Sequence, residues 1–264
     1  MSWLESLLLG IVQGLTEFLP VSSSGHLLMA KEFLGIDSAG GVAFEVLVHA
    51  ATVLSTLTVF RRDVAELVAG VFKFRYNKET DYVLKIAVSM IPVLIVGLFF
   101  KDEVEALFGE GPALVGSMLL LTATLLLFSH FAKGEGKPVG YGTAFIVGIA
   151  QACAVLPGLS RSGSTISAGL LSGIDRSEIA RFSFLMVLVP ILGEAFLELA
   201  GGEFSPSASG ISLPAMTAGF VGAYLSGLFA CKLMIRLVVR IKLYWFSVYC
   251  AAAGTATIVY SMCG

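Results

Sequence analysis

Six stretches of this sequence are each long and apolar enough to cross the roughly 30 Å hydrocarbon core of a bilayer as a helix. They lie near residues 41–60, 82–100, 112–131, 182–200, 213–231 and 243–262. The composition agrees, because 56% of the residues are hydrophobic and only 14% are charged, where soluble domains carry about 25% charged residues. We therefore expect an all-α integral membrane protein that uses lipid as its main solvent.

Two further apolar regions are each interrupted by a short polar segment. Residues 3–34 contain PVSSSG at 20–25, the first tip, and residues 141–173 contain PGLSRSG at 157–163, the second tip. Pro and Gly end helices, and serine hydroxyls can bond the backbone groups that this frees. Irregular backbone persists at membrane depth only inside protein or beside a wet cavity. We predict six full transmembrane helices plus two re-entrant helical hairpins.

The distribution of basic residues predicts which side of the membrane each loop faces. Fourteen of the 17 Lys and Arg residues fall in segments that this arrangement places on one side. These segments are residues 61–85, 132–140, 174–181 and 232–242. Basic residues favour the cytoplasmic side. We therefore expect a multi-pass protein of the plasma membrane with both termini on the outer side.

The two broken regions align with each other when the chain is shifted by 138 positions. Ten of 28 aligned residues are identical, and the matches include Gln13 with Gln151 and Ser22 with Ser160. A hairpin and three spans per half reverse the orientation of the second half. We predict one membrane domain made of two inverted repeats, about residues 1–131 and 139–264. Such folds place a ligand where the broken helices meet, although a repeat retained only for folding is the alternative.

Arg161 is the one basic residue deep in an apolar region of the sequence, where an unpaired cation is costly. Its planar fork of donors suits a phosphate. A helix that starts after Gly163 would add the positive end of its dipole. The alternative is a structural ion pair with Glu17 or Glu45.

Both tips carry small polar residues, beside which backbone N–H groups can approach phosphate oxygens closely. The residues that we expect to bind phosphate are Ser22, Ser24, Gly25, Ser160, Ser162, Gly163 and Thr165. The alternative for any one serine is simple capping of the following helix.

The first tip offers candidates for metal binding and for catalysis. Gln13 and Glu17 are four residues apart and share a helix face, where their oxygens suit a divalent cation. Ser23 precedes His26, and a serine near a histidine can act as a nucleophile. The alternatives are that Glu17 only neutralises Arg161 and that His26 is a polar residue of a helix interface.

Glu45 is a weaker candidate for a metal ligand or a proton carrier. It lies in the first turns of a predicted span, and His49 follows one turn later on the same face. The two side chains could simply bond to each other.

The two tip segments resemble those of the undecaprenyl-diphosphate phosphatase family, also called bacitracin-resistance proteins. GIVQGLTEFLPVSSSGH at Gly10–His26 is similar to its (E/Q)xxxE and PVSSxGH motifs, and QACAVLPGLSRSGSTISAG at Gln151–Gly169 to its PGxSRSxxT motif. The resemblance covers the whole chain. It implies a membrane hydrolase that converts undecaprenyl diphosphate to undecaprenyl phosphate and inorganic phosphate. This reaction recycles the lipid carrier of peptidoglycan synthesis and confers bacitracin resistance.

The resemblance also implies roles for particular residues. Glu17 matches the second acid of the first motif, Ser23 and His26 match a nucleophile or base pair, and Arg161 matches the phosphate-binding arginine. A divalent metal, Mg²⁺ or Ca²⁺, and an active site open to the outer face are further implications. Gln13 stands where many members carry Glu, so we expect Glu17 and the diphosphate to hold the metal, with Gln13 as a second ligand.

Other functions fit parts of the pattern. Inverted repeats with broken helices are also typical of secondary transporters and lipid flippases, which is the main alternative. A net charge of −2 without a long basic run excludes a nucleic-acid partner. Small residues such as Gly219 and Gly222 suit helix packing within or between subunits, so a homodimer remains an expectation.

Overall fold

The computed structural model describes residues 1–36, 41–109, 111–132, 136–201, 211–240 and 243–263. Within these ranges the chain forms thirteen α-helices. The β-pairing found there is an isolated bridge between Lys137 and Ile174. The expected all-α architecture is confirmed.

Seven helices precede residue 132. They are α1 (Trp3–Phe18), α2 (Ser23–Phe33), α3 (Gly41–Val59), α4 (Arg61–Val71), α5 (Lys78–Phe99), α6 (Lys101–Phe108) and α7 (Pro112–Phe131). Six follow: α8 (Tyr141–Cys153), α9 (Arg161–Leu171), α10 (Arg176–Met186), α11 (Leu188–Gly201), α12 (Leu213–Arg240) and α13 (Tyr244–Cys263). Each tip spans a break and the first turn of the next helix: the first lies between α1 and α2, and the second lies between α8 and α9.

Three of these helices are long and apolar enough to cross a membrane, namely α5, α7 and residues Leu213–Val238 of α12. A fourth crossing is possible if α3 and α4, which meet at a bend of 79°, count as one broken span. The length and apolar character of these helices fit a multi-pass membrane protein.

The stretch predicted as one span at 182–200 forms two helices, with α10 ending at Met186 and α11 beginning at Leu188. Pro190 lies in the first turn of α11. Proline has no N–H group, so it cannot donate to the carbonyl four residues earlier and continue the α10 ladder. The proline explains the break, and it also lines the central cavity described below.

Close helix packing holds the two broken regions in place. Helix α1 packs along α12, and α8 packs along α5. A Cβ atom added to Gly10 would lie 2.2 Å from the carbonyl oxygen of Gly219, and one added to Gly148 would lie 2.3 Å from that of Ser89. Glycine is therefore required at both crossings for the backbones to approach.

The small residues of α12 serve packing inside this chain. Gly219 faces the Phe44 ring and the Ser6 carbonyl oxygen, while Gly222 faces the carbonyl oxygen of Leu7. Gly219 and Gly222 are therefore used for packing within the chain, and these two glycines give no support to a homodimer.

Candidate active site

A serine caps the helix that follows each tip. Ser22 Oγ accepts a hydrogen bond from Gly25 N at 3.4 Å at the start of α2. Ser160 Oγ accepts one from Gly163 N at 3.1 Å at the start of α9. These bonds satisfy donors that a helix start leaves free. The two residues are equivalent in the repeat, so the capping alternative describes part of their role.

The two tips contact each other through reciprocal hydrogen bonds. Ser24 Oγ accepts from Gly158 N at 3.4 Å, and Ser162 Oγ donates to the Leu19 carbonyl oxygen at 3.1 Å. Ser160 N also donates to Thr122 Oγ1 at 3.0 Å. The expected meeting of the two hairpin ends is therefore present in the structure.

Glu17 lies at the centre of this junction, with its side chain only 10% exposed. Its Oε2 atom accepts hydrogen bonds from Ser23 Oγ at 2.6 Å and from Gln13 Nε2 at 2.9 Å. The same oxygen lies 3.6 Å from His49 Nε2. One hydroxyl donor and one amide donor therefore hold the carboxylate in place beside the tips.

Arg161 approaches Glu17 without forming a hydrogen bond to it. Nη1 lies 3.8 Å from Glu17 Oε1, and the arginine side chain is 32% exposed. Nη1 is itself buried and has no hydrogen-bond partner among the residues that the structure describes. An unpaired buried donor is costly. The guanidinium is thus attracted by Glu17 and still has capacity to bind an anion.

A cavity of about 380 Å³ opens beside this pair. The polar lining residues come mainly from both tips and from α3. The lining from α5 and α6, the apolar wall, is apolar apart from Lys101. The polar lining residues include Glu17, Ser22, Ser23, Ser24, Glu45, His49, Gln151, Ser160 and Arg161. The apolar lining residues include Val93, Val96, Val104, Val155, Leu159 and Pro190. The cavity suits an amphipathic ligand with an anionic head.

The predicted phosphate-binding residues divide between the cavity and its surroundings. Ser22, Ser24 and Ser160 line the cavity. Ser162 lies on the other side of the ion pair, where a much smaller cavity of about 20 Å³ is found. Thr165 Oγ1 instead pairs with Ser183 Oγ at 2.6 Å inside the protein.

Gly25 and Gly163 belong to the first turns of the helices after the tips, and their backbone N–H groups are taken by the serine caps. A Cβ atom on Gly163 would lie 3.1 Å from Ser160 Oγ. These two glycines allow the caps to form, and neither lines the cavity.

His26 is directed away from the cavity and from the Ser23 hydroxyl. Its Nδ1 atom lies 2.8 Å from the Ser22 carbonyl oxygen, and its Nε2 atom lies 2.6 Å from the Tyr249 hydroxyl. Ser23 Oγ bonds Glu17. The structure therefore pairs Ser23 with Glu17, whereas it pairs His26 with Tyr249.

Three charged or titratable residues at the cavity received little or no weight from the sequence. His49 lies near Glu17 while its Nδ1 bonds the Glu45 backbone carbonyl at 2.8 Å. The Glu45 carboxylate forms an ion pair with Lys31, and Lys101 lines the rim. The four-residue spacing of Glu45 and His49 was the signal in the sequence that the two residues share a helix face. The spacing does not show which residues of other helices that face contacts.

The donors beside Glu17 suit a hard divalent cation. Gln13 Oε1 is buried and has no hydrogen-bond partner within the described ranges, while Gln13 Nε2 bonds Glu17. Carboxylate and amide oxygens are preferred ligands of Mg²⁺ and Ca²⁺. The described residues contain no group of three or more His, Cys, Asp or Glu positioned for a metal. A cation here would therefore need oxygens from the ligand.

The fold and the cavity define a class: a helical membrane protein in which a largely buried carboxylate lies beside a serine and an arginine where two helix breaks meet. The bacitracin resistance protein BacA family model matches residues 6–256 of this chain. The chain belongs to this family.

Several relatives match over nearly the full length. The chain is 53% identical to an undecaprenyl-diphosphatase of Bacteroides fragilis, with 99% of each sequence covered. It is 52% identical to an undecaprenyl-diphosphatase of Parabacteroides distasonis, again with 99% of each covered. The undecaprenyl-diphosphatase of Korarchaeum cryptofilum is 40% identical, with 96% of this chain and 97% of the relative covered.

Proposed function

We propose that this protein hydrolyses undecaprenyl diphosphate to undecaprenyl phosphate and inorganic phosphate. The observation that carries the proposal is the short hydrogen bond from Ser23 to Glu17. It lies beside Arg161 Nη1, which has no hydrogen-bond partner in the described part of the chain. Undecaprenyl-diphosphatases similar to this chain over 99% of its length support the substrate. Release of the monophosphate recycles the lipid carrier for peptidoglycan synthesis, and the same activity accounts for bacitracin resistance.

The charge of the substrate determines what the site must supply. A diphosphate is strongly anionic, so a nucleophile reaches phosphorus only when that charge is screened. Arg161 provides a guanidinium at the cavity wall. Donors that are fixed in a site of low dielectric stabilise developing charge more than water does. Arg161 therefore binds the terminal phosphate and stabilises it as the bond breaks.

Ser23 is the nucleophile in this proposal, and Glu17 is its base. Ser23 Oγ attacks the terminal phosphorus in line and transfers its proton to Glu17 Oε2. The bond from that phosphorus to the bridging oxygen breaks, and undecaprenyl phosphate leaves with the electron pair and that proton. Water then attacks the phosphoserine, Glu17 accepts one of the water's protons, and this proton returns to Ser23 Oγ as phosphate leaves.

A divalent cation, Mg²⁺ or Ca²⁺, belongs to the same proposal. Glu17 and Gln13 would hold it together with oxygens of the diphosphate. This fits the Gln13 Oε1 atom, which has no hydrogen-bond partner among the residues that the structure covers. Bound there, the cation would act as a Lewis acid that neutralises phosphate charge.

The prenyl chain leaves the cavity along its apolar wall. Val93, Val96 and Gly97 of α5 line that wall, with Val104 of α6 beside them. The neighbouring side chains Leu94 and Leu98 are well exposed on α5, as expected for a helix that faces lipid. A gap at α5 and α6 would let the tail remain in the bilayer.

The membrane arrangement is also part of the proposal: six crossings, two re-entrant hairpins and two inverted repeats. The packing of α1 on α12 and of α8 on α5 supports it, because in each pair the helix before a tip packs on a helix of the other half. Gly10 and Gly148, equivalent in the repeat, both lie at the closest approach of their helix pair. In this proposal both termini lie on the outer side, as the basic residues indicate, and the cavity opens to the same side, as the resemblance to the family implies.

Hydrolysis and transport can be separated with purified protein in detergent. Undecaprenyl diphosphate and Mg²⁺ are supplied, and inorganic phosphate is measured. A hydrolase releases phosphate without a sealed compartment, whereas a flippase or transporter needs a vesicle to show activity. Absence of phosphate release from folded protein over a range of Mg²⁺ and Ca²⁺ concentrations would contradict the proposed function.

A further inference from the structure

Both ring nitrogens of His26 are engaged by hydrogen-bond partners other than Ser23. Nδ1 lies 2.8 Å from the Ser22 carbonyl oxygen, and Nε2 lies 2.6 Å from the Tyr249 hydroxyl. The His26 and Tyr249 rings are also stacked, with centroids 5.6 Å apart and planes 13° from parallel. Tyr249 belongs to α13, so this contact joins the first tip to the last helix of the chain.

The partners of the ring determine its tautomer. A carbonyl oxygen can only accept, so Nδ1 carries the hydrogen and donates it to Ser22. Nε2 is then the acceptor, and the Tyr249 hydroxyl donates to it. The lone pair that a general base would use is therefore already bonded to the Tyr249 hydroxyl.

The backbone that this contact holds is unusual. Ser22 has a φ angle of 69°, in the left-handed region that residues with a side chain rarely adopt. Its carbonyl oxygen accepts from His26 N at 3.2 Å as well as from the ring. Cys250, next to Tyr249, lies with Sγ 3.4 Å from the Pro20 carbonyl oxygen. Helix α13 thus contacts the chain on both sides of Ser23, at Pro20 and at His26.

We propose that Tyr249 is a positioning residue for the reaction, acting through His26. The Tyr249 hydroxyl orients the His26 ring, the ring holds the Ser22 carbonyl, and this keeps the following Ser23 hydroxyl directed at Glu17. His26 is a positioning residue in the same chain of contacts and is not the base. This inference rests on the proposed function, in which Ser23 and Glu17 are the reacting pair.

The Tyr249→Phe variant tests the hydroxyl while the stacked ring remains. Losing one hydrogen bond of this kind is expected to lower kcat for phosphate release about three- to tenfold, with KM within about twofold because the cavity lining is unchanged. Tyr260→Phe is the matched control on the same helix, since Tyr260 contacts the Phe33 ring rather than the tip. An unchanged kcat in Tyr249→Phe would overturn the proposal.

His26 variants distinguish a positioning role from a base. In His26→Asn the amide nitrogen takes the place of Nδ1 and can donate to Ser22, but it cannot accept a proton. We expect His26→Asn to retain several-fold more activity than His26→Ala. Equal and complete loss in both variants would assign His26 as the base and overturn the proposal.

A double-mutant cycle tests whether Tyr249 acts through His26. The Tyr249→Phe change should have no further effect in a His26→Ala background, because the ring that it orients is absent. Independent, multiplicative losses would overturn the proposal. The wild-type protein and Ser23→Ala are measured in parallel. Failure of the wild type to release phosphate contradicts the proposed function, whereas an active wild type with a fully active Tyr249→Phe contradicts only the positioning role.

Discussion

Ser23 Oγ donates a hydrogen bond to Glu17 Oε2 at 2.6 Å, across the break between α1 and α2. Glu17 is the last-turn residue of one helix and Ser23 is the first residue of the next. The first broken region alone therefore brings the nucleophile and the carboxylate together. Arg161 arrives from the other half of the chain, so the complete site needs both broken regions.

Replacing either member of the Ser23–Glu17 pair should nearly abolish hydrolysis. Ser23→Ala removes the nucleophile, and Glu17→Gln keeps the shape of the side chain while it removes the acceptor charge. We expect phosphate release to fall by about 10²-fold or more in each, as for loss of a general base or nucleophile. Radiolabelled substrate should also label wild-type protein in a rapid quench and leave Ser23→Ala unlabelled. A labelled Ser23→Ala variant would show that another residue is the nucleophile.

Arg161→Ala should lose phosphate release and still insert and fold. Nη1 makes no hydrogen bond within the described chain, so the side chain holds little structure together. Removing one donor of this kind lowers kcat about 10²- to 10³-fold.

The matched control for that change is Arg181→Ala. Arg181 Nη2 pairs with Asp63 Oδ1 at 2.5 Å, away from the cavity. This control should keep near-normal turnover, and gel filtration should show both variants as monodisperse. Normal turnover in Arg161→Ala would refute the assignment of the phosphate-binding arginine.

Gln13→Glu should lower the metal concentration that gives half-maximal activity by about tenfold. The reason is that the added carboxylate makes the site more negative and so binds a divalent cation more tightly. The repeat provides a control in Gln151, which is also buried with an unpartnered Oε1 among the described residues. Its Nε2 faces the Met90 sulfur instead of Glu17, so Gln151→Glu should leave the metal dependence unchanged. Titrations of phosphate release with Mg²⁺ and with Ca²⁺ measure this. An identical metal response in both variants would separate Gln13 from metal binding.

Gly97→Phe should obstruct the prenyl chain without unfolding the protein. A Cβ atom at Gly97 would have no neighbouring atom within 4 Å. Phenylalanine also has a higher intrinsic helix propensity than glycine, so the change does not weaken the helix. We expect kcat/KM for undecaprenyl diphosphate to fall roughly tenfold, on the scale by which pocket shape discriminates between substrates, while a short prenyl diphosphate is hydrolysed as before.

Gly142→Phe is the control, since Gly142 also has open space around it and does not line the cavity. It should leave turnover of both substrates unchanged. Equal loss with long and short substrates in Gly97→Phe would place the tail elsewhere.

Cysteine labelling tests the membrane orientation. In a variant whose four native cysteines are replaced by alanine, Ser2→Cys should react with a membrane-impermeant maleimide in intact spheroplasts. Asn77→Cys, in the short segment between α4 and α5, should react only after lysis. The reversed pattern would place both termini on the cytoplasmic side.

The sequence by itself determined the all-α class, the positions of both broken regions and the family, because apolar periodicity and helix-breaking residues act locally. It also indicated Glu17, Ser23 and Arg161. The tertiary structure decided which groups meet. The predicted 182–200 span divides at Val187 because of Pro190, which is itself a local signal. Tertiary packing instead turned His26 towards Tyr249 and brought His49 towards Glu17. These two contacts depend on how α1, α3 and α13 pack. Contacts between residues far apart in the chain depend on the shape and burial of packed helices, which a local sequence pattern does not specify.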